Sequence, residues 1–262
     1  MKLEFFKYEG TGNDFILFDD RENVIQLDNR QIRKLCDRRF GIGADGLILL
    51  RNKEAYDFEM VYFNSDGEPS SMCGNGGRCI TSFARKLGIV GSTTKFLAAD
   101  GMHESEFVKT DPDIVRLKMK DVENFQHLDE GWYVDTGSPH LVINVEGLQE
   151  MDVKTKGRLL RYSDRFREKG VNVNFVEHLA DRISVRTYER GVEDETLSCG
   201  TGVTASALVS RANSRPGDTS GFTIISTQGG ELKVHADKHA NGFKNIWLEG
   251  PANYVFKGEI EV

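Results

Sequence analysis

One pattern occurs twice in this chain. Tyr62-Phe63-Asn64-Ser65-Asp66-Gly67 leads into Cys73-Gly74-Asn75-Gly76-Gly77 and then an apolar stripe at helical spacing. Tyr188-Glu189-Arg190-Gly191 leads into Cys199-Gly200-Thr201-Gly202 and then an Ala-rich run. The shared order is strand, polar turn, Cys-Gly-x-Gly, helix. The two copies stand roughly half a chain apart, far beyond a solenoid period, so the pattern reads as a duplicated domain. Two matched α/β halves are expected, residues 1–118 and 119–251, with the boundary near Lys118–Asp121.

Other elements are marked locally. Phe58, Met60 and Tyr62 alternate with Glu59, Val61 and Phe63, and Ile183, Val185 and Thr187 alternate with Arg182, Ser184 and Arg186, as half-buried strands do. Glu231–Asp237 and Phe243–Glu249 flank a turn containing Asn241-Gly242, and Tyr254–Val262 reads as a last strand. Asp28 and Gln31 form a capping-box pattern ahead of Ile32, Leu35, Cys36 and Phe40. Ile80, Phe83, Ala84 and Leu87 make a second helical stripe, stopped by Gly88 at C′. A third helix is expected over Val153–Lys169, with Leu159, Tyr162 and Phe166 on one side. A fourth covers Thr204–Ala212, closed by Asn213-Ser214-Arg215-Pro216-Gly217.

Composition narrows the setting. With 39% hydrophobic and 29% charged residues, the chain can fill a core and is not disordered throughout. The 34 basic and 41 acidic residues sum to −7 with no Lys/Arg block, which argues against nucleic-acid or anionic-membrane partners. No apolar run approaches the roughly 20 residues of a membrane span. Met1–Lys7 carries charges on both sides of Phe5-Phe6, so it is no signal-peptide core. The four cysteines are therefore expected as reduced thiols in a cytoplasmic protein.

Cys73 and Cys199 each lie where a loop becomes a helix. First-turn N–H groups lack internal partners and sit at the positive end of the helix dipole. A thiolate is stabilised there, and a carboxylate can dock on the same amides because glycine lets it come close. Two such turns facing each other would hold one carboxylate between two sulfurs. That suits inversion of an amino-acid α-carbon, where one group removes a proton and another delivers one to the opposite face. Charge developing on the carboxylate would be stabilised by the helix-start amides, without metal or pyridoxal phosphate.

A lone buried cysteine is usually a small hydrophobe, and Cys36 and Cys79 are read that way. Only the paired context moves Cys73 and Cys199 toward chemistry. Cys73 and Cys79 have five residues between them and no His cluster nearby, which argues against zinc. A Cys73–Cys199 redox disulfide stays open, although no Cys-x-x-Cys motif supports it. Gly41-Ile42-Gly43-Ala44-Asp45-Gly46 has the letters of a dinucleotide fingerprint, but here the helix precedes and the strand-like Leu47–Leu50 follows.

Taken together, the segments Gly10–Phe15, Gly41–Leu47, Asn64–Cys79, Gly137–His140, Val171–Phe175 and Tyr188–Gly202 resemble the diaminopimelate epimerases over essentially the whole chain. The resemblance implies interconversion of LL-2,6-diaminopimelate and meso-2,6-diaminopimelate in bacterial lysine and cell-wall precursor synthesis, with no cofactor and no metal. It implies Cys73 and Cys199 as the catalytic pair and the backbone at Gly74-Asn75 and Gly200-Thr201 as the carboxylate cradle. It assigns Asn13, Asn64, Asn172, Glu189 and Arg190 to substrate binding, with His140 and Glu189 supporting catalysis. It also implies an α+β fold of two pseudo-symmetric halves, each a curled sheet around a central helix, with the active site in the cleft. The last strand, 252–262, would return to the N-terminal half, and the enzyme would be a homodimer.

Residue chemistry agrees with a doubly zwitterionic substrate. Arg190 can clamp a carboxylate, Glu189 can pair with an ammonium, and the asparagines both donate and accept. Each also has a structural alternative. Asn13 and Asn64 stand in turns, Glu189-Arg190 would by default be a solvated pair of under about 1 kcal/mol, and His140 after Pro139 could cap a turn. Three departures from the family pattern stand out. Ser138 replaces a common Asn, Gly46 replaces a Gln of some members, and Gly191–Thr196 is one residue longer. The rival readings are a proline or hydroxyproline racemase and a non-catalytic carboxylate-binding or thiol-sensing protein.

Overall fold

The computed structural model describes residues 2–213 and 221–262 and has a mixed α+β architecture. The helix breaker expected beyond Asn213 lies outside the described residues, apart from Asn213 itself, which caps its helix. The chain divides into two compact units, residues 1–117 with 250–262, and residues 118–249. No described helix is long and apolar enough to cross a membrane.

The first unit holds β1 (Lys2–Gly10), β2 (Asn13–Asp19), α1 (Asn29–Cys36), β3 (Gly46–Arg51), β4 (Phe58–Asn64), α2 (Gly74–Lys86), β5 (Thr93–Ala98), β6 (Gly101–Thr110) and β7 (Asp113–Lys118). β1–β2, β3–β4, β5–β6 and β6–β7 pair antiparallel. β2–β3 and β4–β5 pair in parallel, so each needs a crossover, which α1 and α2 supply.

The second unit repeats this plan. After the short β8 (Gln126–Leu128) come β9 (Gly131–Asp135), β10 (Pro139–Asn144), α3 (Val153–Arg161), β11 (Asn172–His178), β12 (Ile183–Glu189), β13 (Asp194–Thr196), α4 (Gly200–Ala212), β14 (Phe222–Thr227), β15 (Gly230–His239) and β16 (Gly242–Pro251). β10–β11 and β12–β14 are the parallel pairs, crossed by α3 and α4. β9–β10, β11–β12, β14–β15 and β15–β16 are antiparallel. The final strand β17 (Asn253–Glu261) pairs antiparallel with β1.

The second crossover helix of each unit is unusual in having no solvent face over most of its length. Every residue of α2 from Gly74 to Ala84 is buried, and α4 is buried without a break from Gly202 to Val209. Such a helix is enclosed by its sheet rather than laid upon it. α2 packs against β1, β2, β3 and β17, and Phe83 meets the rings of Phe6 at 4.8 Å and Tyr8 at 6.0 Å. α4 packs against β10, β11, β12, β14 and β15.

Some elements differ from the sequence reading. The capping box of α1 is formed, but the helix ends at Cys36, because Asp37 is extended and its carboxylate accepts from the N–H of Arg39 and Phe40. Phe40 is thus thrown out of the core and is 81% exposed. α3 stops at Arg161, and Leu159 and Tyr162 face solvent; the buried side is Val153 and Gly157. Any side chain at Gly157 would clash with Tyr188, which sets that face. In the late hairpin the two loop residues are Ala240 (φ 46°) and Asn241, while Gly242 already opens β16. Gly242 is glycine because a Cβ there would run into the Val122 carbonyl. The longer Gly191–Thr196 segment folds back as β13 against β12, with Glu193 in the left-handed region at φ 58°.

Candidate active site

Cys73 is the extended N-cap residue of α2 (φ −97°, ψ 129°), and its side chain does not cap the helix. The first helical bond runs from Gly77 N–H to the Cys73 carbonyl at 2.7 Å. The amides of Gly74, Asn75 and Gly76 therefore precede the helical ladder, at the positive end of the dipole.

The β1–β2 turn brings Asn13 to this thiol. Gly10 pairs with Asn13, and both loop residues are left-handed, Thr11 at φ 53° and Gly12 at φ 83°. For a β-branched residue this conformation is strained, on the order of 1 kcal/mol or more. Thr11 is buried, and its hydroxyl donates to the Gly10 carbonyl at 2.7 Å and accepts from Arg78 Nη2 at 3.2 Å. Asn13 Nδ2 donates to Asp45 at 2.7 Å, which turns Oδ1 toward Cys73 Sγ (3.5 Å) and Asn75 Nδ2 (3.4 Å). Arg38 bridges Asp45 and Asp14, each at 2.7 Å, and Lys7 pairs with Asp14 at 2.8 Å. Burial works to raise the Asp14 pKa, but Arg38 and Lys7 outweigh it and hold the carboxyl at about 2.

Arg78 is fully buried. Its Nε donates to the Pro251 carbonyl at 3.2 Å, and Nη1 has no hydrogen-bond partner among the described residues. Burial disfavours its charge, while Cys79, Cys73 and Glu9 favour it; a guanidinium keeps its proton regardless. Asn64 ends β4 opposite Gly46 and closes a turn, donating its N–H to the Glu68 carbonyl at 3.0 Å. A Cβ at Gly46 would lie 2.5 Å from the Tyr62 ring, so no longer side chain fits there beside Tyr62. Cys36 and Cys79 are both buried, and burial pushes the Cys36 thiol up to about 12 and Cys79 up as well.

In the second unit Cys199 is the N-cap residue of α4 (φ −110°, ψ 111°) and likewise does not cap it. Its Sγ lies 3.5 Å from Thr201 Oγ1, and Thr136 Oγ1 donates to the Thr201 carbonyl at 2.9 Å. His140 enters from β10 and is fully buried; burial lowers its pKa to about 3. Asn172 donates to Ser138 Oγ (2.9 Å) and the Pro139 carbonyl (3.0 Å) and accepts the Arg190 N–H at 2.9 Å. Arg190 donates to the Lys169 carbonyl at 2.9 Å and reaches Ser138 Oγ at 3.5 Å. Ser138 is thus used within the unit as an acceptor for both residues. Glu189 accepts from Thr196 Oγ1 at 2.9 Å, so β13 anchors its carboxylate.

Asn13, Asn64, Cys73, Gly74 and Asn75 therefore lie in the first unit, where Asn13 joins Cys73 and Asn75, and His140, Asn172, Glu189, Arg190, Cys199, Gly200 and Thr201 lie in the second. Thr11, Asp45, Arg78 and Asn174 join these residues without having been expected at the site. Signals existed for two of them. Arg78 is a charge inside an apolar helical stripe, and Asn174 is a polar residue between Val173 and Phe175. Among the described residues no three His, Cys, Asp or Glu side chains converge to hold a metal ion.

The family model described as diaminopimelate epimerase matches residues 5–123 and 132–255. A diaminopimelate epimerase of Flavobacterium psychrophilum is 49% identical over 260 residues, covering 98% of this chain and 100% of the relative. The chain belongs to the diaminopimelate epimerase family. It is accordingly an epimerase acting on a small molecule. The diaminopimelate epimerase of Chlorobaculum tepidum is 45% identical, covering 96% of this chain and 98% of that one. Two solved structures share the fold of this diaminopimelate epimerase family member at low identity. A Bacillus anthracis phenazine biosynthesis protein of the PhzF family has TM-score 0.76 and 14% identity over the full length of both chains. A probable proline racemase from Agrobacterium radiobacter with bound carbonate has TM-score 0.69 and 15% identity, covering 99% of this chain and 93% of that one.

Proposed function

We propose that this epimerase interconverts LL-2,6-diaminopimelate and meso-2,6-diaminopimelate by passing the α-proton between Cys73 and Cys199, in lysine synthesis through diaminopimelate. The observation that carries the reading is the duplicated device. Each unit ends a loop in a cysteine that opens a buried helix without capping it. Residues 1–118 with the last strand supply one thiol, and residues 119–251 supply the other.

One sulfur enters the reaction as thiolate and takes the α-hydrogen as a proton. The C–H electron pair spreads into the carboxylate, where the helix-start amides at Gly74-Asn75 and Gly200-Thr201 stabilise it. The second thiol then gives its proton to the opposite face and becomes the thiolate. Protons balance over the cycle, and the next turnover runs in reverse or follows exchange with solvent. Arg190 and Glu189 suit the carboxylate and ammonium of the non-reacting end, and Asn13, Asn64 and Asn172 supply further donors and acceptors for the substrate. His140 supports the second thiol. The reading carries with it a reduced, cytoplasmic setting and a homodimer, both by family likeness.

The test is incubation of the protein with LL-diaminopimelate in D₂O under reducing conditions. The expected product is the meso isomer carrying one deuterium at the inverted carbon. Unchanged mass with measurable binding would make the chain a binding protein, and exchange on proline instead would make it a proline racemase.

A further inference from the structure

Beside the start of α4 lies an imidazole with one nitrogen engaged and the other not. The Asn174 side chain is fully buried among Thr187, Leu141 and His140. Its Oδ1 accepts from the Thr187 hydroxyl at 2.9 Å, while Nδ2 lies 3.3 Å from the Leu141 carbonyl oxygen and 3.1 Å from His140 Nδ1. A carbonyl oxygen only accepts, so the amide nitrogen is the atom that faces Leu141, and its second N–H points to His140. Nδ1 of His140 is therefore an acceptor and carries no proton. The neutral ring then has its proton on Nε2, and a cationic ring would set two N–H groups against each other.

The charged groups around the ring do not reverse this. Burial dominates, Asp135 favours the cation, Arg190 opposes it, and the ring stays neutral down to about pH 3. Nε2 is buried and has no hydrogen-bond partner among the described residues. A buried N–H left open in this way is able to donate to a ligand that reaches the head of α4. The neighbouring ring atom, Cε1, lies against Gly202, where a Cβ would come within 3.3 Å. Gly202 is the third residue of the helix that Cys199 opens. The same missing Cβ makes room for the Asn174 amide.

We propose that Asn174 is a positioning residue: with Thr187 it locks His140 as the Nε2–H tautomer, so the ring offers the head of α4 a neutral donor for an anionic oxygen or sulfur. His140 then acts as a donor and never as a base. Only the kinetic arm of the test rests on the epimerase reading.

Nitrogen-15 NMR of the histidine-labelled protein, with His140→Asn for assignment, reads the tautomer without substrate. The expected result is a protonated Nε2 and a bare Nδ1 that do not titrate between about pH 5 and 9. In Asn174→Asp a carboxylate meets Nδ1, the proton moves there, and the ring titrates within that range. The turnover of that variant is expected to fall roughly tenfold or more with KM within about twofold, the mark of a misoriented ring rather than lost binding. A proton on Nδ1 in the wild type, or titration of His140 in that range, overturns the proposal. So does a folded Asn174→Asp with wild-type turnover and pH profile. If Asn174→Asp does not fold, the wild-type spectrum decides alone. An inactive chain with the expected tautomer refutes the epimerase reading and leaves the tautomer assignment standing.

Discussion

Asp45 accepts the side-chain amide of Asn13 at 2.7 Å, and that bond determines which atom of Asn13 meets the Cys73 sulfur. With the nitrogen held by a carboxylate, the carbonyl oxygen faces the thiol. Asp45 is itself held by Arg38. Asp45→Ala frees the amide to rotate without opening the core, since Asp45 is exposed. Its expected effect is a fall of about tenfold in kcat/KM, equivalent to one hydrogen bond of about 1.4 kcal/mol, with an unchanged melting temperature. Steady-state kinetics and a thermal melt check this; wild-type kinetics would remove Asp45 from the account.

The four thiols differ in their surroundings. Burial raises the pKa of Cys36 and Cys79, whereas the half-buried Cys73 and the buried Cys199 stand at helix starts. Brief iodoacetamide treatment near neutral pH should mark Cys73 and Cys199 and spare the other two, as mapped by peptide mass spectrometry. Arg78 contributes a fixed buried charge close enough to interact with Cys73. Arg78→Met should therefore slow alkylation of Cys73 at neutral pH several-fold. Labelling of Cys36 or Cys79 ahead of the pair contradicts the assignment.

Matched glycines of the duplicated turn should respond unequally. At Gly202 a Cβ would clash with the Asn174 amide, which is fixed by three hydrogen bonds. At Gly76 it would meet the flexible ends of Ile48 and Met60 at 3.2 Å. Gly202→Ala is expected to cost about 2–3 kcal/mol and most of the activity, and Gly76→Ala about 1 kcal/mol or less. Denaturant unfolding of both variants tests the difference, and equal losses would contradict it.

Acid should destabilise the fold in two steps. His140 is held near pKa 3 against an ordinary 6.5, so between these values the unfolded chain binds a proton that the folded chain refuses. Its contribution is complete above pH 6.5 and is lost as the pH falls toward 3. Asp14, held at about 2 against 3.8, contributes fully above 3.8 and loses that contribution toward 2. The melting temperature should therefore begin to fall below about pH 6.5, and His140→Asn should flatten the first part of the decline. An identical profile in that variant would place the titrating group elsewhere.

The sequence was most legible where local signals and tertiary packing agree. The capping box at Asp28, the stop at Gly88 and the two cysteine helix starts all depend on neighbouring residues, and all are formed. Periodicity misled where a side-chain interaction outside the period ended a helix, as Asp37 does before Phe40, or where a partner strand chose the buried face, as Tyr188 does at Gly157. The role of Gly242 was hidden for the same reason, because its requirement comes from Val122, far away in sequence. At the site, residue types with obvious chemistry were legible singly. Their orienting partners were not, because Asp45, Arg78 and Asn174 act through hydrogen bonds that only the folded chain brings together.

In the proposed mechanism two different thiols handle the two faces of one carbon. This is tested most directly by following the isotope at early conversion of LL-diaminopimelate in D₂O. Thiol hydrogens exchange with solvent, so the donor delivers deuterium while the acceptor still holds the substrate's own hydrogen. The expected result is meso product that is fully labelled at the inverted carbon while the recovered LL substrate is still unlabelled. Product that retains the original hydrogen, or substrate labelled as fast as product, would show a single group serving both faces.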